Sequence, residues 1–562
     1  MKTTVSKSIS RRDAIKTVST VSTVLLLPSA CTDIKSNKQA DSQFSHGVAS
    51  GDPDSSSIVI WTRVSHIDQP IKVNWFIATD KKFKNTIKQG KTTTDSDRDF
   101  TVKVIVSDLE PGKQYFYKFE VNGENSPIGR TKTLPIGHVE KLVLAVATCS
   151  NYPFGYFNGY DAIANDPTVD LVVHLGDYIY EYAIDGYGGD SGKKINRNHI
   201  PAHEILSLDD YRKRHAQYKA DVGSRTLHAQ HPLIVIWDDH ETANNPWMGG
   251  AKNHQENEGD WLARREASLQ AYYEWLPIRD PIKKEDRKNY WRHYKFGDLA
   301  SLITLESRHT GRSEQISYNK HLQNITTPQQ AETFLHDNVQ PEDRNMLSAE
   351  MEAFLKNELN ASVKEGRRWR IIGNQTVMAR SKAPKLDDPI FTAILPKLNS
   401  KAKNMLEELT HLGELNLPSD LDTWDGYPAA RERFYQIAKD ANARDLLVLS
   451  GDSHSYWANS LFDQHDKAMG VELGATGISS PRSILGLGEE ALQKYDELNA
   501  KHNKEINWTD GRHQGFIRLE LDHQGAHADF ITVSTVKTTD YVTKIVHSVN
   551  IHHDNGSLSY GK

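Results

Sequence analysis

Six short, unbroken apolar runs dominate the chain beyond residue 140: KLVLAVATC (141–149), VDLVVHLGD (169–177), PLIVIWDDH (232–240), LASLITLESR (299–308), RWRIIGNQ (368–375) and RDLLVLSGDSH (444–454). A strand with one wet face alternates apolar and polar residues. A strand covered on both faces reads as a continuous apolar run. Amphipathic stretches such as EGDWLARREASLQAYYEWL and SAEMEAFLKNEL lie between several of the runs. The pattern predicts an α/β domain, with helices packed over sheets that are largely parallel.

In such sheets ligands sit beyond the carboxyl ends of the strands. The residues that follow the runs are therefore the candidates for chemistry. They are Cys149; Asp177 with Tyr180; Asp238, Asp239, His240 and Glu241; Ser307 and Arg308; Asn374 and Gln375; and Asp452 with His454. A single Asp after a strand is most often a helix cap, and a single His or Tyr there is most often packed and hydrogen-bonded. Several carboxylates at one edge repel one another and are costly to ionise unless cations lie between them. On that basis Asp177 bridges two cations and Tyr180 lies as a phenolate on the harder one. A free phenol has a pKa near ~10, so a trivalent ion such as Fe3+ is expected there. A thiolate at Cys149 disfavours magnesium or calcium at that position.

The first 135 residues read differently. Residues 11 and 12 are Arg-Arg, followed by a weakly apolar run from Val18 to Leu27. That run is shorter than the ~20 residues a membrane helix needs and resembles a twin-arginine export signal. Cys31 follows Leu27-Pro28-Ser29-Ala30, an imperfect lipoprotein cleavage box, so a lipid anchor at Cys31 is expected. The chain has 2 cysteines, which leaves Cys149 without a pairing partner once Cys31 is lipidated. Residues 32–42 read as a polar tether. SIVIWTRV, IKVNWFIAT, FTVKVIVSDL and QYFYKFEVNG alternate apolar and polar residues between turn residues, as in a small antiparallel β-sandwich of fibronectin type III-like character. The net charge of -6 without a long basic run argues against nucleic acid as a partner.

GDYIYEY (176–182), WDDHETANN (237–245) and SGDSHSYWAN (450–459) resemble motifs of the alkaline phosphatase D (PhoD-like) family of bacterial secreted phosphatases and phosphodiesterases. HGVASGDP, VIWTRV, GRTKTLP, LARREASLQAYYEWLP and WDGYPAARERF agree, so that the resemblance runs from about residue 44 to about residue 540. It implies a calcineurin-like metallophosphoesterase core, a layered α/β/α arrangement of two packed sheets flanked by helices, behind the N-terminal sandwich. It also implies a Tyr-ligated Fe3+ paired with one or two Ca2+, and hydrolysis of phosphate monoesters or diesters by a metal-activated water. Carried over by motif, Cys149, Asp177 and Tyr180 are iron ligands and Asp177 also bridges. Asp239 and Asp452 are ligands on the calcium side, and His454 serves the metal centre. His240 stands near the leaving group, Arg308 grips a phosphate oxygen, and Asn374 and Gln375 contact substrate. Where the family often has Asp-Thr-Arg, this chain reads Glu306-Ser307-Arg308.

The expected organisation is a signal over 1–31, a tether over 32–42, a sandwich over 43–136, a catalytic domain over 137–540 and a tail over 541–562. The segments 183–205 and 312–340 read as loop insertions around the site. The expected protein is a monomer, exported by the twin-arginine machinery to the periplasm or the cell surface. Two other readings stand beside this one: a phosphodiesterase specialised for cell-wall polymers or phospholipids, and a non-catalytic surface lipoprotein that binds glycans or a partner.

Overall fold

The computed structural model describes residues 42–554 and 556–561. The expected signal, the Cys31 anchor and nearly all of the tether lie outside them. The described residues cluster as one compact unit.

Two large sheets face each other. In the first, the strands Lys141–Ala147, Leu171–His174 and Leu233–Val235 run parallel. In the second, Ala300–Thr304, Trp369–Gly373, Leu446–Ser450 and Ala468–Gly474 run parallel. The unbroken apolar runs form these strands because both of their faces are covered. Leu142, Leu144 and Val146 point into the core shared with Leu302, Ile371, Leu447, Leu449 and Val471 of the other sheet. The intervening Val143, Ala145 and Ala147 point the opposite way, into a second core with Tyr211, Tyr218, Leu227 and Leu269 of the outer helices. The second sheet divides in the same manner: Ile303, Ile372 and Val448 meet Leu355, Leu359 and Phe434. A side-chain period of 2 therefore turns each apolar run into two buried surfaces.

The outer helices have local start signals. Ser207 and Asp210 form a capping box before Leu208–Ala220, Asp260 caps Trp261–Trp275, and Ser348 caps Ala349–Lys364. No helix among the described residues is long and apolar enough to cross a membrane.

Two expected boundaries differ from the structure. The N-terminal strands enclose their own core, with Phe44, Ile60, Ile77, Tyr117 and Phe119, but do not have two sheets to themselves. Val48–Gly51, Ile58–Arg63 and Thr101–Val106 continue the first large sheet beyond Leu233–Val235, so that sheet has 10 strands. The other face of the sandwich is a separate sheet built from Ile71–Ala78, Thr86–Thr94 and Gln114–Val121 with shorter strands beside them. The junction depends on Gly51, where a Cβ would lie 2.6 Å from the Leu233 carbonyl oxygen. Nor do residues 541–562 form a tail or lid. Thr543–Asp554 pairs with Gly525–Val533, Ser557–Tyr560 pairs with Thr543–Asp554, and Ile551 and Leu558 join the inter-sheet core. Within the expected loop insertions lie the helices Gly189–Ile195 and Pro328–Phe334.

Candidate metal centre and active site

The parallel strands of both sheets end at one edge, and their following loops converge there. Four residues at the convergence are forced into the left-handed backbone region: Cys149 (φ 58°), Asp177 (φ 56°), Asp452 (φ 61°) and His454 (φ 52°). Each such residue other than glycine costs about 1–3 kcal/mol and persists only where its surroundings over-determine it. Three different loops share this strain. Gly176 permits the closest approach between two of them, because a Cβ there would lie 2.4 Å from Asp238 Cβ.

Three overlapping groups of donors result, with the atoms of each group within 4.8 Å of one another: Cys149, Asp177 and His454; Asp177, Asp239 and His240; and Asp177, Asp238, Asp239 and Asp452. Asp177 belongs to all three. The Tyr180 hydroxyl reaches Asp177 Oδ2 (2.9 Å), Ser480 Oγ (2.8 Å) and His454 Nε2 (3.2 Å). His454 Nδ1 donates to the Pro481 carbonyl (2.9 Å), which leaves the Nε2 lone pair facing the cluster. His240 Nδ1 is held by Glu181 Oε2 at 2.7 Å, and its ring stacks on Tyr180 with centroids 4.3 Å apart. Glu181 is itself fixed by the Asn244 backbone N–H and by Asn253 Nδ2, so His240 Nε2 is aimed at the acids, 3.8 Å from Asp239 Oδ2.

The electrostatics of this edge call for cations. Burial pushes the Cys149 thiol up, and Asp177 adds to it. Burial likewise raises Tyr180, with Asp177 adding to it, and raises Asp177 against the opposing pull of His240. Asp452 is raised by burial and then by Asp238. Asp238 is pushed up to about 6 by burial, although Arg308 opposes this. Asp239, equally buried, is held below the usual carboxylate range by His240 and Arg308. Burial opposes the protonated form of His240, but Asp239, Glu181 and Asp177 outweigh it and raise the imidazole. Burial lowers His454 to about 4. Asp238 Oδ2 and Asp239 Oδ1 are buried acceptors without a hydrogen-bond donor. Crowded acids, a thiol, a phenol and a neutral imidazole with unpaired acceptor atoms fit a site for two or more metal ions.

The sequence matches the PhoD-like phosphatase profile over residues 144–530, and the profile of the N-terminal domain of PhoD-like phosphatases over residues 29–135.

The chain belongs to the PhoD-like phosphatase family.

It is 32% identical over 498 residues to alkaline phosphatase D of Bacillus subtilis (strain 168), covering 87% of this chain and 77% of that protein. The solved structure of PhoD superposes with a TM-score of 0.74 at 28% identity, covering 92% of each chain. A purple acid phosphatase from yellow lupin (Lupinus luteus) seeds superposes with a TM-score of 0.52 at 12% identity, covering 90% of this chain and 74% of that one, a likeness of fold. The chain is thus a phosphatase of α/β metallophosphoesterase architecture with a strand-rich N-terminal region.

Within this PhoD-like phosphatase, Cys149, Asp177, Tyr180, Asp239, His240, Asp452 and His454 meet at one edge. Arg308 lies at the same edge as a fully buried counter-ion. Its Nε bonds Asp238 Oδ1 (2.5 Å), its Nη1 bonds Asp422 Oδ2 (2.8 Å), and its Nη2 stands 3.9 Å from Asp452 Oδ2. Asn374 and Gln375, expected at the substrate, are held by neighbouring loops. Asn374 is spent on the Thr376 carbonyl and on Trp424 Nε1, and Gln375 on Ser307 Oγ and the Leu305 carbonyl. Each amide braces loops through one N–H and its oxygen. Glu306 braces its own loop through the N–H groups of Arg308, His309 and Thr310.

Sequence reasoning assigned no role to Asp238, Glu181 and Glu241. Glu241 accepts the backbone N–H groups of Asp177, Tyr178 and Asp238, and so ties two site loops together. The adjacent acids of WDDHE carry a signal for Asp238 and Glu241, and GDYIYEY carries one for Glu181. Ser480, 300 residues from Tyr180, has no local signal at all.

Proposed function

We propose that the protein is a metal-dependent phosphoesterase that hydrolyses phosphate monoesters or diesters at an iron–calcium centre. The reading rests on one observation: Asp177 is shared between a Cys149/His454 group beside the Tyr180 hydroxyl and an all-carboxylate group of Asp238, Asp239 and Asp452. Thiolate, phenolate and imidazole suit Fe3+, whereas carboxylates suit Ca2+. The ions, when bound, supply charge stabilisation on the phosphoryl oxygens and lower the pKa of a coordinated water.

The chain's own groups complete the chemistry. His240, aimed by Glu181, would donate its Nε2 proton to the departing oxygen. Arg308 holds Asp238 and Asp422 in place and offsets the negative charge of the cluster. The aromatic rings of Tyr180, Tyr182 and Tyr187 beside His240 and His454 keep water from the wall of the site. The Arg11-Arg12 leader supports export of the folded, metal-loaded protein, and Cys31 supports a lipid anchor.

The test is elemental analysis with a visible spectrum of the purified protein, followed by rates on p-nitrophenyl phosphate and bis(p-nitrophenyl) phosphate. Iron with calcium, a tyrosinate-to-iron band and turnover lost on metal removal are expected. Full turnover in a protein stripped of both metals would overturn the proposal.

A further inference from the structure

A second cluster of metal-binding side chains lies at the opposite edge of the sheets. His138 precedes the Lys141–Ala147 strand and Cys149 follows it, so the two ends are separated by roughly 30 Å of extended chain. Three distant segments meet here. His138 belongs to the connection leaving the N-terminal strands. Asp298 sits in the turn between His293–Phe296 and Ala300–Thr304 of the second sheet. His523 sits in the turn between Gly515–Asp522 and Gly525–Val533 of the first.

The geometry is specific. His138 Nδ1 lies 2.9 Å from Asp298 Oδ2, and His523 Nε2 lies 3.5 Å from Asp298 Oδ1. The two imidazoles are stacked, with centroids 5.0 Å apart and planes 15° apart. One ligand atom from each of the three residues lies within 4.8 Å of the others. Bonds of about 2.0–2.2 Å from Zn2+ to imidazole and carboxylate place ligands about 3.3 Å apart, and each imidazole stands near that distance from one carboxylate oxygen, His138 from Oδ2 and His523 from Oδ1. The carboxylate is already oriented, because Asp298 Oδ1 accepts the Val139 backbone N–H at 3.0 Å. The turn carrying it is clamped to the connection through Gly297 N–H to the Pro135 carbonyl and Asp298 N–H to the Gly137 carbonyl. Gly297 is required there: its φ is +52°, and a Cβ would lie 2.2 Å from the Gly137 oxygen.

We propose that His138, Asp298 and His523 form a second metal site, separate from the catalytic centre, that takes a borderline divalent transition ion such as Zn2+. Two imidazoles and one carboxylate favour zinc, copper or nickel over calcium or magnesium. Ligation uses the lone pairs of His138 Nδ1 and His523 Nε2, so each neutral imidazole moves its proton to its other ring nitrogen and gives up its present bond, to Asp298 and to the Val139 carbonyl. The side chains of His138, Asp298 and His523 are 66%, 43% and 31% exposed, so an ion enters from solvent and water fills its remaining position. Its effect is structural: it ties the two sheets and the connection between them at the edge remote from catalysis.

The experiment titrates the metal-loaded full chain with ZnCl2, following bound zinc by elemental analysis after desalting and following the thermal midpoint. The comparison variants are H138A/H523A and D298N, none of them at the catalytic edge. The wild type is expected to retain one zinc equivalent per chain more than H138A/H523A and to gain thermal stability with zinc that the double variant does not. D298N should bind at least 10-fold more weakly, and phosphatase activity without added zinc should be equal in all three. Equal zinc retention and equal thermal shifts in wild type and double variant would overturn the proposal. Should the double variant fold poorly, as judged by its activity without zinc, H138Q on the most exposed of the three side chains replaces it.

Discussion

The Tyr180 hydroxyl lies 2.9 Å from Asp177 Oδ2, three residues back in the same loop, and 3.2 Å from His454 Nε2, delivered from the other sheet. A buried phenol in that position stays protonated unless a cation displaces its proton, since burial and Asp177 both raise it. The pair therefore links the ionisation of the tyrosine to the occupancy of the metal centre.

Tyr180→Phe removes the phenolate and leaves the ring that stacks on His240. The tyrosinate-to-iron absorption is expected to vanish, and turnover is expected to fall by more than about 100-fold, with the thermal midpoint of the metal-free protein little changed. Spectrum and rate measured on one preparation decide it; survival of both would exclude Tyr180 as a ligand.

Asp177→Asn should act in opposite directions in the two states of the protein. A carboxyl raised by burial is destabilising when ionised, so at pH 7 the metal-free variant is expected to be more stable than the metal-free wild type. With metals added, the order reverses and activity is lost. Thermal unfolding with and without chelator reads both arms.

Arg308→Met leaves Asp238 as a buried charge without its cationic partner, while Asp422 keeps Arg312. The loss is about 3–5 kcal/mol. Arg308→Lys is not expected to restore it, because a single ammonium cannot reproduce the fork that meets both carboxylates. Urea unfolding of the three proteins at one pH measures the difference.

His215 supplies a pH effect behind the site loops, against Tyr178. It is fully buried between Tyr178 and Tyr272, and neither ring nitrogen has a hydrogen-bond partner. Burial, with Lys219 adding to it, lowers it from 6.5 to about 3. The unfolded chain takes up a proton below pH 6.5 that the folded chain refuses until about pH 3. The stability tied to His215 is thus complete above pH 6.5 and is lost as pH falls from there, at up to about 1.4 kcal/mol per pH unit. His215→Leu should flatten the stability profile by that slope below pH 6.5. An unchanged slope would mean the imidazole is protonated in the fold.

The layered core was legible because the physics that makes it is local. Continuous apolar runs such as LVLAVA and DLLVLS can form only strands covered on both faces, and the polar residues that end them must lie at one edge. Most of the candidate centre was legible for the same reason, since Cys149, Asp177, Asp239 and Asp452 each end such a run. Side-chain roles were not. Asn374 and Gln375 end a run too, yet their amide oxygens accept from Trp424 and Ser307 of other loops. Long-range pairing also settled the extent of the sheets. Nothing in VASG says that it will pair with Leu233, and nothing in Thr543–Asp554 or Ser557–Tyr560 says that they will extend the sheet beyond Gly525–Val533; both follow from which backbone edges lie open after the core has packed. The sequence by itself determined which residues had to be buried and which had to stand at strand ends. Only the tertiary structure decided which of those residues face one another, because hydrogen-bond partners and charge neighbours are set by segments up to 384 residues apart.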